Sequence, residues 1–148
     1  SGHLALPGGR RQEADRDLLT TAIRETAEET GVQLERQACR AQLDDLVPQI
    51  RVLPPIMVRP FLFRLPDAVV ARQSDEVVEA SWVALADLTA AGVYGERSVA
   101  VGGVTRSVWG YDLPAGIVWG MTERILTPVL DLWRESGGKL RGGGGRPS

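Results

Sequence analysis

An unusual concentration of charge occurs in the segment RETAEETG, which spans residues 24–31. Its three glutamates, Glu25, Glu28 and Glu29, have the spacing of side-chain neighbours on an α-helix. Such like-charged neighbours cost a few tenths of a kcal/mol per pair, and only Arg24 is adjacent to compensate. A hard divalent cation prefers carboxylate oxygens and can activate water beside a phosphate group. The segment therefore indicates metal-assisted hydrolysis at phosphorus, with a solvated acidic helix face as the alternative.

The helix that would carry these glutamates is marked at both of its ends. Asp15 or Asp17 can cap its start, and Gly31 can end it. Upstream, residues 4–6 predict a short strand that ends in the turn at residues 7–9, Pro-Gly-Gly. Apolar and small residues of the helix fall on one stripe beside the glutamates: Leu19, Ala22, Ile23, Thr26, Ala27 and Thr30. The sequence thus predicts a strand, a glycine turn and a helix that presents carboxylates.

The glycine turn and the charged helix together resemble a known catalytic element. The stretch LPGGRRQEADRDLLTTAIRETAEETGV, residues 6–32, is similar to the Nudix box of the Nudix hydrolases. The box signature, R-E-x-x-E-E-x-G with an apolar final residue, is matched in full at residues 24–32. This resemblance implies hydrolysis of a nucleoside diphosphate linked to another group, with a loop, a helix and a loop forming a metal site.

The resemblance also implies a role for each charged residue of the box. Glu25, Glu28 and Glu29 would be ligands of the metal ion, Mg²⁺ or Mn²⁺. The backbone carbonyl of Gly8 would be a further ligand, and Arg24 would hold the glutamates in position by ion pairing. These five residues are the expected core of the site.

Two positions depart from the family pattern. The early glutamate of the common pattern is Asp15 here, and eight residues rather than seven separate it from Arg24. Thr26 stands where an apolar residue is usual. Because Asp15 keeps the negative charge, we expect it to have a supporting structural role. Gly9 and Gly31 would serve the backbone turns at the two ends of the box.

Other stretches resemble one subgroup of the family, the coenzyme A diphosphatases. They are the extra residue before Arg24, the lead-in SGHLALPGG, the stretch DEVVEASWVAL and the entry VWGMTERIL into a final helix. The subgroup cleaves coenzyme A or its thioesters to 3′,5′-ADP and a 4′-phosphopantetheine product. Two alternatives stay open. One is hydrolysis of another nucleoside diphosphate derivative, such as ADP-ribose, a nucleotide sugar or a dinucleoside polyphosphate, and the other is a Nudix-fold binding module without turnover.

Further charged residues are candidates for the site, each with a solvated surface residue as the alternative. Glu76 or Glu79 would supply an extra metal ligand or a general base. On a strand these two side chains project to opposite faces, so we expect at most one of them to reach the site. Arg10, Arg11 and Arg59 are candidates for binding substrate phosphates, since guanidinium groups match phosphate oxygens.

Beyond the box, the sequence predicts several strands and a second long helix. Strands are expected within residues 40–65, from residue 77 and within residues 99–118, and the amphipathic final helix should begin at Thr122. Pro128 should kink that helix or divide it in two. Core positions are expected at Trp82, Val83, Trp109, Trp119 and Trp133. This order indicates the α/β class, a Nudix-type α/β/α sandwich with a mixed sheet between helices.

Composition sets the broad class of protein and partner. The 148 residues fit one domain, residues 1–135, followed by a flexible glycine-rich tail at residues 136–148. The net charge of -2 gives no basis for nucleic-acid binding, so the expected partner is a small-molecule nucleotide substrate. A lone cysteine and the lack of an 18-residue apolar run favour a cytoplasmic protein with no membrane partner.

The beginning of the chain predicts an exposed sheet edge. Ser1 is followed within a few residues by the Pro-Gly-Gly turn, whereas a Nudix sheet usually includes strands from well before that turn. We therefore expect N-terminal strands to be missing from this polypeptide. A sheet without them exposes unpaired backbone groups, which predicts poor stability of this chain alone or a homodimer in which a second copy covers the edge.

Overall fold

The structure is a computed structural model of the chain. It describes residues 2–49, 53–66, 69 and 80–138. The described residues form two compact units. The first, here called the loop–helix unit, consists of the described residues within 7–82, and the second, the sheet unit, consists of residues 2–6 and 83–138.

The loop–helix unit contains the predicted charged helix. Helix α1 runs over Leu18–Thr30, and the carboxylate of Asp17 caps it by accepting the Thr20 backbone N–H at 2.8 Å. Gly31 ends the helix with a φ of 75°, and its N–H donates to the carbonyl of Ala27 at 2.9 Å. A φ in this range is left-handed and favours glycine, so both predicted helix ends are confirmed.

Two short antiparallel strands follow in the same unit. Strand β2 runs over Cys39–Gln42 and pairs with strand β3, Phe61–Phe63. Between them the chain makes an isolated antiparallel bridge from Leu46 to Val58. The strands are shorter than residues 40–65 suggested because proline cannot donate to a sheet ladder, and the prolines of this stretch lie outside both strands. Pro60 stands directly before β3.

The sheet unit is built on a four-stranded mixed sheet. Its strands are β1 (Gly2–Leu4), β4 (Tyr94–Val101), β5 (Val104–Leu113) and β6 (Gly116–Trp119). Their order is β1-β6-β5-β4, with β1 parallel to β6 and the other pairs antiparallel. A mixed sheet with helices confirms the predicted α/β class.

The first strand is displaced from its predicted place at residues 4–6. In the structure it begins at Gly2, because residues 2–4 pair in register with residues 116–118 of β6. Gly116 has a φ of 154°, and a Cβ there would overlap the carbonyl oxygen of Gly2. A glycine is therefore required where the two strands come together.

A short and a long helix complete the sheet unit. Helix α2 runs over Leu85–Leu88, and helix α3 runs over Gly120–Glu135. The predicted start of α3 at Thr122 and its predicted division at Pro128 are wrong, since the helix begins two residues earlier and continues through the proline. Apolar packing holds it on both sides of Pro128, as Leu126 and Leu130 contact the core.

The core of the sheet unit lies between strands and helices. It consists of Leu88, Tyr111, Leu113, Val118 and Leu130. Trp82 and Trp109, predicted core residues, are 60% and 57% exposed, and Val83 is also exposed, so those predictions are wrong. Trp109 stacks on Tyr94 in the neighbouring strand, at 5.7 Å between ring centres, which gives it a partner without burial. Among the described helices, none combines the length and the apolar character needed to cross a membrane.

Candidate active site

The guanidinium of Arg24 is the centre of the charged cluster on α1. Its Nη1 atom lies 2.9 Å from Oε1 of Glu25 and 3.2 Å from Oε2 of Glu28. Its Nε and Nη2 atoms donate to the two carboxylate oxygens of Asp15 at 3.0 and 2.9 Å. Nη2 also donates to the backbone carbonyl of Arg10 at 3.2 Å. Arg24 therefore brings together two of the predicted metal ligands. It also links them to the loop before α1 through Arg10 and Asp15.

Asp15 is the buried anchor of this cluster. Its exposed fraction is 3%, and besides Arg24 it accepts the Gln12 backbone N–H at 2.9 Å and the Thr21 hydroxyl at 3.0 Å. The hydrogen bonds from Arg24, followed by the one from Gln12, hold the pKa of the Asp15 carboxyl well below its usual range. The same contact raises the pKa of Arg24. Both groups are thus charged at neutral pH, and the supporting role expected for Asp15 is visible in these bonds.

Gly9 contacts the carboxylate of Glu25 directly. A Cβ on Gly9 would lie 2.5 Å from Oε1 and 2.8 Å from Oε2 of Glu25, so a side chain there would displace that carboxylate. Gly8 is different, because nothing lies within 4 Å of a Cβ placed there. The glycine turn therefore has a second purpose besides its backbone freedom: it lets the main chain approach Glu25, next to the Gly8 carbonyl predicted as a ligand.

The donor set has the chemistry of a hard-cation site. Carboxylate and backbone carbonyl oxygens are the ligands that Mg²⁺ and Mn²⁺ prefer, and Glu25 and Glu28 converge on a single nitrogen of Arg24. Glu29 is the next residue of the helix and is partly buried. Over the described part of the chain, no three Asp, Glu, His or Cys side chains are grouped closely enough to hold a metal ion by themselves. The residues fit a divalent cation by donor type, and the assembly of a complete ligand set stays a prediction.

Among the described residues, the side chains of the other predicted site residues make no hydrogen bond to this cluster. Arg10 contributes its backbone carbonyl to Arg24, while its side chain and that of Arg11 are exposed. Arg59 forms a two-pronged ion pair with Asp45, at 2.8 and 2.9 Å. Glu76 and Glu79 fall outside the described residues.

Sequence reasoning missed several partners of these groups. Thr21 was not singled out, although it precedes Arg24 by three residues and so lies on the same helix face, a usable signal. Asp45 received no role, and nothing local in the sequence connects it to Arg59. A second ion pair joins Arg36 to Asp17, at 2.7 Å from Nη2 to Oδ2.

Comparison with known proteins agrees with the box. The profile of the NUDIX domain matches residues 1–101. An uncharacterized protein of Schizosaccharomyces pombe, C14C4.10c, is 40% identical to the chain over 93 residues. That alignment covers 60% of this chain and 28% of the yeast protein, so the chain spans little more than a quarter of the curated relative it matches.

Proposed function

The chain belongs to the Nudix family, and from this premise we propose that it is a metal-dependent hydrolase of a nucleoside diphosphate joined to another group. The arrangement around Arg24 carries the proposal. A buried aspartate orients the arginine, and the arginine orients Glu25 and Glu28 beside a glycine turn. A solvated acidic face would need none of these contacts, because each glutamate would be stabilised by water alone.

The proposed ligands are the carboxylates of Glu25, Glu28 and Glu29 and the carbonyl of Gly8. A bound Mg²⁺ or Mn²⁺ would supply Lewis-acid polarisation of a phosphoryl oxygen and a more acidic water. The chain itself supplies orientation. Arg24 fixes the two glutamates, and Gly9 leaves room for the carboxylate of Glu25 against the backbone.

For the substrate we propose coenzyme A or one of its thioesters. The support is sequence resemblance alone: the lead-in to the box, the stretch DEVVEASWVAL and the Trp-Gly entry into α3 are similar to coenzyme A diphosphatases. In the structure that entry is the junction at Gly120, whose φ is 65°. A cytoplasmic location and a homodimer stay predictions from the sequence.

Product analysis tests the proposal. The chain is incubated with Mn²⁺ or Mg²⁺ and, separately, with coenzyme A, an acyl-coenzyme A, ADP-ribose, a nucleotide sugar and a dinucleoside polyphosphate. We expect 3′,5′-ADP and the 4′-phosphopantetheine product from the first two. Cleavage of only the other substrates would keep the diphosphatase and overturn the coenzyme A assignment. If no substrate is cleaved although Mn²⁺ binds, the chain is a binding module.

A further inference from the structure

A cavity in the loop–helix unit is lined by none of the residues of the cluster around Arg24. It has a volume of about 250 Å³ and lies between the start of α1 and strands β2 and β3. From Asp17 at the cavity to Glu25 in the acidic cluster the chain rises eight helical residues, about 12 Å along the axis. The residues that decide its chemistry are Asp17, Arg36, Cys39, Gln42, Arg59 and Phe61.

Two arginines line this cavity, and each is held in place by an aspartate. Arg36 donates from Nη2 to Oδ2 of Asp17 at 2.7 Å and from Nη1 to the hydroxyl of Thr20 at 2.9 Å. Arg59 donates from Nε and Nη2 to Asp45 at 2.8 and 2.9 Å. A ligand would therefore not have to immobilise either guanidinium, which lowers the entropic cost of binding.

Neither arginine uses all of its N–H groups in these bonds. A guanidinium has five N–H donors. Within the described residues, the contacts of Arg59 leave Nη1 without an acceptor, and those of Arg36 leave Nε without one. Each guanidinium is paired with one aspartate, and Asp17 lines the cavity, so the two pairs carry no net charge. Their remaining N–H donors match an anion that has several acceptor oxygens. Phosphate satisfies this description better than a carboxylate, because its three terminal oxygens can accept from both arginines at once.

The rest of the lining suits an organic body attached to that phosphate. Phe61 and the leucines at the start of α1, Leu18 and Leu19, provide apolar surface, and Gln42 offers both an amide donor and an acceptor. A volume of this size is slightly below the range typical of drug-sized ligands, so it limits the ligand to a small molecule.

We propose that this cavity is a binding site for a small phosphomonoester, with its phosphate at Arg36 and Arg59 and its body against Phe61. The proposal does not rest on the hydrolase activity, since none of its residues belongs to the cluster around Arg24. Phosphate chemistry has two sources, free orthophosphate and a phosphorylated organic compound, and the experiment distinguishes them.

Cys39 gives a direct readout of the cavity. It is the only cysteine of the chain and it lines the cavity, so its alkylation by N-ethylmaleimide reports whether the site is occupied. The rate is measured without divalent cations in the presence of AMP, inorganic phosphate, adenosine or sulfate. We expect AMP to slow alkylation most, phosphate to slow it less, and adenosine to have little effect. No protection by AMP, or equal protection by AMP and sulfate, would overturn the proposal.

Substitutions test whether the lining residues are needed for AMP to protect Cys39 from alkylation. Arg59→Gln should weaken protection by AMP about tenfold or more, because a charged hydrogen bond to the ligand is lost. The matched control is Arg40→Gln, an exposed arginine on the same strand as Cys39 that does not line the cavity. Gln42→Ala is a second test that leaves both ion pairs intact and should also weaken protection. Equal protection in wild type, Arg59→Gln and Gln42→Ala would contradict the site.

One further variant separates this proposal from the proposed function. Glu28→Gln should lose hydrolysis but keep the protection of Cys39 by AMP in full, since Glu28 does not line the cavity. If Glu28→Gln also abolished protection, AMP would be binding at the acidic cluster, and the cavity proposal would fail. Unchanged alkylation of the variants without ligand shows that their fold is intact.

Discussion

Two aspartates just before α1, Asp15 and Asp17, each pair with an arginine, and the two pairs differ in burial. The Asp15 side chain is 4% exposed and that of Arg24 is 21% exposed, whereas the values for Asp17 and Arg36 are 44% and 38%. The buried pair extends to Glu25 and Glu28, while the exposed pair caps the helix and ties it to the segment that follows. The same two residue types thus organise the acidic cluster in one place and cap a helix in the other, and the first pair is the more buried of the two.

The two pairs also differ in their balance of charge. In the buried pair a single guanidinium faces three carboxylates, those of Asp15, Glu25 and Glu28. In the exposed pair one guanidinium faces one carboxylate. Only the first arrangement has negative charge in excess, which agrees with the divalent cation proposed above.

The largest effect is expected from Glu28→Gln. The substitution removes one carboxylate of the cluster around Arg24, so hydrolysis should fall about a hundredfold or more, as when one electrostatic contact to a transition state is lost. Unfolding should be unchanged or slightly delayed, because like-charge repulsion on the helix decreases. Steady-state kinetics and thermal melts check both statements, with the exposed Glu13→Gln as the control. A variant that fails to fold would show that Glu28 is structural.

A somewhat smaller loss is expected from Gly9→Ala. The added Cβ must push the carboxylate of Glu25 aside, and displacements of about 1 Å can cost up to about a hundredfold in rate. Stability should change little, since the group that moves is the end of a flexible side chain. Gly8→Ala is the comparison because its Cβ meets nothing within 4 Å, so it should lose less activity than Gly9→Ala. Equal losses in the two variants would refute the special approach of Gly9 to Glu25.

The smallest effects are expected from asparagine substitutions at Asp15 and Asp17, which compare the two pairs directly. Asp15→Asn should lower both the melting temperature and the rate, because Arg24 loses its anchor and no longer fixes the glutamates. Asp17→Asn should affect both much less, since asparagine is itself a good helix cap and the Arg36 pair is exposed. Melts and kinetics of the two variants side by side test the contrast. A larger loss of melting temperature and rate in Asp17→Asn than in Asp15→Asn would contradict this prediction.

The two aspartates are also expected to make the unfolding free energy depend on pH in the acid range. Hydrogen bonds from Arg24 and from Arg36 lower the pKa of Asp15 and of Asp17 in the folded chain. A lowered pKa stabilises the fold above the unfolded value, about 3.9, and this stabilisation is lost as pH falls below it. The unfolding free energy should therefore decrease below about pH 4, less steeply in each Asn variant. Added salt should remove the Asp17 contribution first, because that pair is exposed to solvent.

What the sequence could predict was local. The cap at Asp17, the stop at Gly31 and the grouping of Glu25 and Glu28 all follow from spacings within one helix. The family resemblance added the link from Arg24 to the glutamates. These features need no knowledge of how distant segments meet.

What the sequence could not predict depends on distant segments. The pair of Arg59 with Asp45 and the cavity beside it form only when β2 and β3 come together. Trp109 was assigned to the core by its type, yet its position on the sheet leaves it stacked on Tyr94 at the surface. The displaced start of β1 likewise reflects its register with β6, which no nearby residue encodes.

The meeting of Gly2 with Gly116 also has a consequence for how the chain acquires its structure. Strands β4 and β5 are joined by the two-residue turn Gly102-Gly103, whose positive φ values suit a tight hairpin, so they can associate as soon as both exist. Strand β1 must instead wait for residues 116–118, at the far end of the unit, before it has a neighbour. Closing so long a loop is slow. Strand β1, the first of these four strands in sequence order, is therefore expected to be the last to be placed in the sheet.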